Sequence, residues 1–289
     1  MPAPGHCVPA PPSGALAVFS SFMINTWIAG TAIALVAALV GYFVVIRHSA
    51  FAAHALPLGA FPGAAAANLL GVNPFVGLLV FVGMGVLLLR QLARIGRRDV
   101  GTGLLLVLFL GVGALFLSMT SEYAPEVFSL LFGEMLGVSD ADLWPILVIS
   151  ALVTVVMITI FRPLLLDSSF PDLAALQGIS AARMDLIFLS LLALVTASAL
   201  PVVGAFLVFT LLVGPPAAAQ SLSIHPLRSL LLAVIFAESS IWLAIALSYW
   251  TNWPIGFFVG MLGAGLFTLA RSYRHWSQRQ RPVVQVSGL

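Results

Sequence analysis

Apolar residues run along this chain in long blocks, each closed by an arginine, a proline, a glycine or a short polar cluster. Nine such blocks can be marked, at about 24–46, 50–70, 74–92, 102–118, 143–163, 185–200, 203–222, 230–250 and 254–271. Most meet or approach the ~20 residues that carry a helix across a ~30 Å hydrocarbon core. The pattern predicts an all-α polytopic membrane protein with eight or nine transmembrane helices. The count turns on 185–222, an almost unbroken apolar stretch split only by Pro201 and Gly204 and later broken by Gly214, Pro215 and Pro216. One half of it is expected to be a broken or re-entrant helix, which a membrane tolerates where the freed backbone groups are buried in protein or face water.

The polar positions orient these spans. If the chain enters the first block from outside, Arg47, the group Arg90, Arg94, Arg97 and Arg98, then Arg162, Arg183, Arg228 and finally Arg271, Arg274, Arg279 and Arg281 all fall on one face. Glu122, Glu126, Glu134, Asp140 and Asp142 fall in the single long loop on the other. This is the positive-inside distribution of a plasma-membrane protein, with the amino terminus outside and the carboxyl terminus in the cytoplasm. The ends divide accordingly: a disordered, proline-rich tail over 1–21, a membrane domain over 22–272 and a basic cytoplasmic tail over 273–289.

Composition narrows the chemistry. Of 289 residues 61% are hydrophobic and 8% charged, far below the roughly 25% charged residues of an ordinary soluble domain. Cys7 is the sole cysteine, so neither an internal disulfide framework nor a thiolate cluster can form within the chain. Lysine is absent, which excludes a phosphate-binding loop ending in Lys-Ser or Lys-Thr and a lysine Schiff base. If ATP drives this protein, another chain must hydrolyse it. Arginines at span ends are topology determinants before they are a patch for nucleic acid.

Few residues remain to carry chemistry. Between Asp167 and Gly178 lies a cytoplasmic segment with Pro171 and Asp172 at a helix start, Leu173 and Leu176 within, and Gly178 at its stop. It reads as a short helix on the inner face, either a plain amphipathic loop helix or a docking element for a partner. His54 and Glu238 lie inside spans, seven residues from Arg47 and ten from Arg228. At 1.5 Å per residue that puts them roughly 10 and 15 Å from the same face. An acid at such depth costs about 2.5–3.5 kcal/mol on insertion scales and faces a partner or a wet cavity. Asp185 is expected to pair with Arg183 at the interface.

Four ordered elements carry a family resemblance. They are Leu131-Phe-Gly-Glu-Met-Leu-Gly-Val-Ser139 followed by Asp142 and Leu143, the segment at Pro171–Gly178, the small-residue stretch from Val202 through Gly204, Pro215 and Pro216 to Ala219, and Ser248-Tyr-Trp-Thr-Asn-Trp-Pro254-Ile-Gly256. Over roughly residues 22–272 the chain resembles the permeases of ATP-binding-cassette importers for zinc, manganese and iron.

The resemblance implies a permease that acts as a dimer with a second copy or a close relative. Separate ATPase subunits would dock on a coupling helix at Pro171–Gly178, and an extracytoplasmic solute-binding protein would deliver the ion. No cofactor is implied; a divalent cation is the cargo. Where the family has an aspartate and a histidine entering the second span, this chain has Ala50 and His54. His54 then belongs to the pathway, and Glu238 is expected to supply part of the charge that Ala50 does not. Two alternatives stay open: a permease for a metal chelate or other small solute, and an ion-coupled secondary transporter built on Glu238. A membrane scaffold without transport is a third.

Overall fold

The structure, a computed structural model, describes residues 21–94, 98–119 and 138–279, and every regular element within them is helical. In chain order these are α1 (Ser21–Ile46), α2 (Ala50–Leu69), α3 (Pro74–Arg94), α4 (Arg98–Ser118), α5 (Asp140–Ser169), α6 (Pro171–Leu176), α7 (Ala181–Val203), α8 (Ala205–Leu222), α9 (Pro226–Thr251) and α10 (Ile255–Arg279). Eight of them are long and apolar enough to cross a membrane, and α8 adds a shorter apolar stretch, Leu207–Leu222. Residues 1–20 of the anticipated tail and 120–137 of the acidic outer loop, with most of its Leu131–Ser139 element, lie outside the described residues; Ser21 opens α1 and Ser139 caps α5. At the other end α10 continues past residue 272 as far as Arg279.

The break in the 185–222 stretch falls at Gly204. Pro201 is accommodated inside α7, whereas Gly204 closes α7 and opens α8 with φ 84°. Its N–H donates to the Leu200 carbonyl at 2.9 Å and its carbonyl accepts from Val208 N–H at 3.1 Å. Two helices joined by one residue need a backbone angle that a Cβ would penalise, so glycine belongs there.

Burial sorts the helices. The apolar windows of α1 and α2 are 67% and 72% buried against 22% for α5 and 28% for α10, so α1 and α2 are central while α5 and α10 are left largely uncovered by the chain itself. One group packs α3 and α4 on α2; a second packs α9, α10 and α1 around α8, and α7 touches both groups. Lipid is as apolar as leucine, so such contacts rest on close approach of backbones rather than on a hydrophobic gain. At the α2–α3 crossing a Cβ on Gly63 would stand 2.2 Å from the Gly77 carbonyl oxygen, and one on Gly77 2.0 Å from that of Gly63. Gly41 of α1 meets the Leu212 carbonyl of α8 in the same way, at 2.2 Å.

Polar ties agree with the alternating direction of the spans. Asn25 Nδ2 donates to Asp140 Oδ1 at 2.7 Å, joining the first turns of α1 and α5. Gln220 Nε2 donates to the Tyr42 carbonyl at 2.9 Å, bringing the last turns of α8 and α1 together. Trp242 Nε1 donates to Thr31 Oγ1 at 2.9 Å between α9 and α1.

Candidate transport and coupling sites

Helix α6 forms because Pro171 sits in its first turn, where the missing N–H costs nothing, and Asp172 offers its charge to the helix N-terminus. It stops at Gly178, φ 76°, where Ile179 N–H reaches the Ala174 carbonyl at 3.0 Å and Gly178 N–H the Ala175 carbonyl at 3.0 Å. That pair of bonds is the Schellman arrangement that a left-handed glycine permits. Ala174 is fully buried beneath the helix, while Leu173 and Leu176 are 46% and 85% exposed and Phe170 is exposed beside them. The helix therefore presents leucines outward at a face where the chain itself offers them no cover.

Both arms of α6 are held by one guanidinium. Arg47, just past the end of α1, donates from Nη1 to Asp167 Oδ2 at 2.9 Å and to Ser168 Oγ at 3.0 Å, and from Nη2 to Asp185 Oδ1. Asp167 lies near the end of α5 before α6 and Asp185 near the start of α7 after it. The guanidinium also lies 5.3 Å from the Phe188 ring centroid. Asp185 thus bonds a residue far away in sequence rather than resting on the nearby Arg183 that the sequence suggested. Reach explains it: the α1 terminus brings Arg47 between two acids that must otherwise be desolvated alone. Arg47 and Asp167 were legible only as a span-end arginine and a loop acid. The one usable signal was that two acids flank Pro171–Gly178 on a face otherwise rich in arginine.

His54 lies half-buried in α2 with its ring 4.8 Å from that of Phe209 on α8, close to edge-on. Glu238 lies half-buried on α9, and its Oε2 is buried with no hydrogen-bond partner among the described residues. The neighbouring serines do not serve it: Ser239 Oγ donates to the Ile235 carbonyl at 2.8 Å and Ser240 Oγ to the Phe236 carbonyl at 2.7 Å. Helices α2 and α9 are each seated on α8 and are not principal neighbours of one another. Among the described residues no group of three or more His, Cys, Asp or Glu side chains could hold a metal ion.

The family-motif positions shape α8 and its neighbours. Pro215 and Pro216 are buried within α8. Pro254 caps the turn into α10, its carbonyl accepting Phe257 N–H at 3.1 Å. Gly256 leaves room for Leu207, whose Cδ1 a Cβ would approach to 2.6 Å.

Comparison with known proteins agrees with this architecture. The family described as the ABC 3 transport family matches residues 20–274. The manganese import system permease protein ScaB of Streptococcus parasanguinis is 28% identical over 251 residues, 86% of this chain and 89% of that one. The high-affinity zinc uptake system membrane protein ZnuB of Buchnera aphidicola is 25% identical over 253 residues, 86% of this chain and 97% of that one. In fold, PsaBC from Streptococcus pneumoniae, solved in complex with Fab, superposes with a TM-score of 0.79 at 24% identity, covering 89% of this chain and 95% of that one. The chain belongs to the ABC 3 transport family and is a multi-pass permease of the plasma membrane.

Proposed function

We propose that the chain is the membrane-spanning subunit of an ATP-binding-cassette importer whose cargo is a divalent metal ion, manganese or zinc. The observation that carries this reading is the family match through residues 20–274, with relatives described as manganese and zinc permeases. ATP hydrolysis belongs to separate subunits that dock on α6, and an extracytoplasmic solute-binding protein delivers the ion to the outer face. Transport is alternating access: ATP binding and hydrolysis in the partners shift the equilibrium between outward-facing and inward-facing forms. The exposed Leu173 and Leu176 support the docking role, and Pro171, Asp172 and Gly178 set the helix ends. Movement of α6 would reach α1 through Arg47, and from α1 the short turn to α2 and His54.

His54 and Glu238 are the groups we assign to the pathway. With Ala50 in place of an acid and no complete ligand set among the described residues, the ion's path is completed by copies across the dimer axis or by Glu238 acting as a fixed charge that steers the cation. Ala50 also favours a second reading, a permease for a metal chelate or other small solute, which needs fewer direct ligands. In proteoliposomes holding the permease, its ATPase and its binding protein, ATP-dependent Mn²⁺ or Zn²⁺ uptake is expected to fall at least about tenfold in His54→Ala and in Glu238→Gln, a change of ~1.4 kcal/mol or more in the barrier. Undiminished ion uptake in both variants would remove these residues from the pathway. Uptake of a chelate but of neither free ion would establish the second reading.

A further inference from the structure

The inner ends of α2, α3, α4 and α7 enclose a cavity of about 350 Å³ that His54 and Glu238 do not line. Its lining mixes the apolar Phe51, Leu89 and Phe188 with the polar His48, Arg90 and Thr102. Arg47 and Asp185 also border it, but they are bonded to one another, and Arg47 is further occupied by Asp167 and Ser168. Arg90 is different. Half-buried on α3, it has no hydrogen-bond or ion-pair partner among the described residues. Arg47 is held by Asp167 and Asp185, so Arg90 is the cation of the lining left without a partner among the described residues.

A second observation concerns His48. Helix α1 ends in a Schellman arrangement, with Ser49 N–H donating to the Val44 carbonyl at 2.9 Å and His48 N–H to the Val45 carbonyl at 3.2 Å. The residue at the left-handed position of that motif is ordinarily glycine, because a Cβ there clashes with the backbone. Here it is His48, with φ 52°. Non-glycine residues held in this conformation cluster at functional sites, and His48 borders the cavity.

A recess at the cytoplasmic membrane surface whose lining combines a guanidinium unpaired among the described residues with aromatic and leucine side chains matches a phospholipid in charge and in polarity. The cytoplasmic leaflet is rich in anionic lipid, and basic pockets between transmembrane helices on that side take phosphate headgroups. We propose that this cavity binds the phosphate of an anionic phospholipid, with Arg90 and the His48 imidazole as donors and the glycerol end against Phe51 and Leu89. The bound lipid would brace α3 and α4 against α7 next to the Arg47 clasp.

The test is retention of phosphatidylglycerol against phosphatidylcholine by the purified permease complex, read by native mass spectrometry, together with thermal unfolding in each lipid. The wild-type complex is expected to retain phosphatidylglycerol preferentially, and Arg90→Gln to lose that preference by about tenfold. His48→Gly is the sharper variant, because it relieves the backbone: its melting temperature in phosphatidylcholine should rise while its preference for phosphatidylglycerol falls. Ala52→Trp, which fills the recess from α2, should abolish the preference even if Arg90→Gln does not insert. An unchanged lipid ratio in His48→Gly and Ala52→Trp would overturn the proposal. So would stabilisation by inorganic phosphate alone equal to that by phosphatidylglycerol, which would assign the cavity to a soluble anion.

Discussion

Replacing Arg47 with methionine is expected to destabilise the folded permease by roughly 3 kcal/mol, the lower end of the range for breaking a buried ion pair by removing one partner. The lower end applies because the two acids differ: the Asp167 side chain is 4% exposed and that of Asp185 27%, so water takes over part of the loss at Asp185. The larger cost comes from Asp167, left charged and desolvated at the end of α5. Adding Asp167→Asn to Arg47→Met should recover much of the stability, because the uncompensated charge is then gone. Unfolding in mixed micelles measures both variants. A single variant as stable as the wild type would mean that the clasp contributes nothing, and a double variant weaker than the single would mean that the acid is held by something else. In transport the double variant remains defective, since the mechanical link between α6 and the α1–α2 turn is not restored.

The second large effect is expected at α6. Leu173→Glu combined with Leu176→Glu should leave the protein inserted, because both side chains are exposed and the buried Ala174 is untouched. It should nevertheless lower the affinity for the ATPase by roughly 30-fold, the ~2 kcal/mol of a single interface hot spot. ATP-driven uptake falls in proportion, and hydrolysis by the ATPase no longer responds to the cargo. Uptake equal to wild type at matched membrane abundance would end the docking role of this helix. Separating the two cases needs only the membrane-fraction yield, which a folding defect lowers and a docking defect does not.

Much of the architecture was legible because the bilayer imposes it. Runs long enough to span, arginines at span ends, and Pro171 and Gly178 bracketing a short helix each have a strong physical reading, and α1–α10 follow them closely except that α5 runs on to Ser169 and α10 to Arg279. The site was less legible, for a definite reason. A span such as α1 or α9 is apolar all round, so its sequence does not say which face meets protein and which meets lipid. Depth could be read for His54 and Glu238, but facing could not. Hence the proximity of His54 to Phe209, and the seating of both α2 and α9 on α8, were beyond reach. Pairing across more than a hundred residues was equally hidden: Arg47 looked like a topology signal, and Asp185 had Arg183 two residues away as an easier partner. Gly204 and Pro201 were both visible as breakers, yet only glycine accepts the positive φ of the junction, and proline is carried inside the helix.

We propose that this chain works as the membrane half of an ATP-driven machine. Solubilised gently from its native membrane and purified by a tag on the permease, it should bring down an ATPase subunit in fixed stoichiometry, with ATP hydrolysis that its extracytoplasmic binding protein stimulates. Isolation of the chain free of any ATPase, together with cation transport in proteoliposomes driven by a proton gradient alone, would contradict the account and favour a secondary transporter built on Glu238.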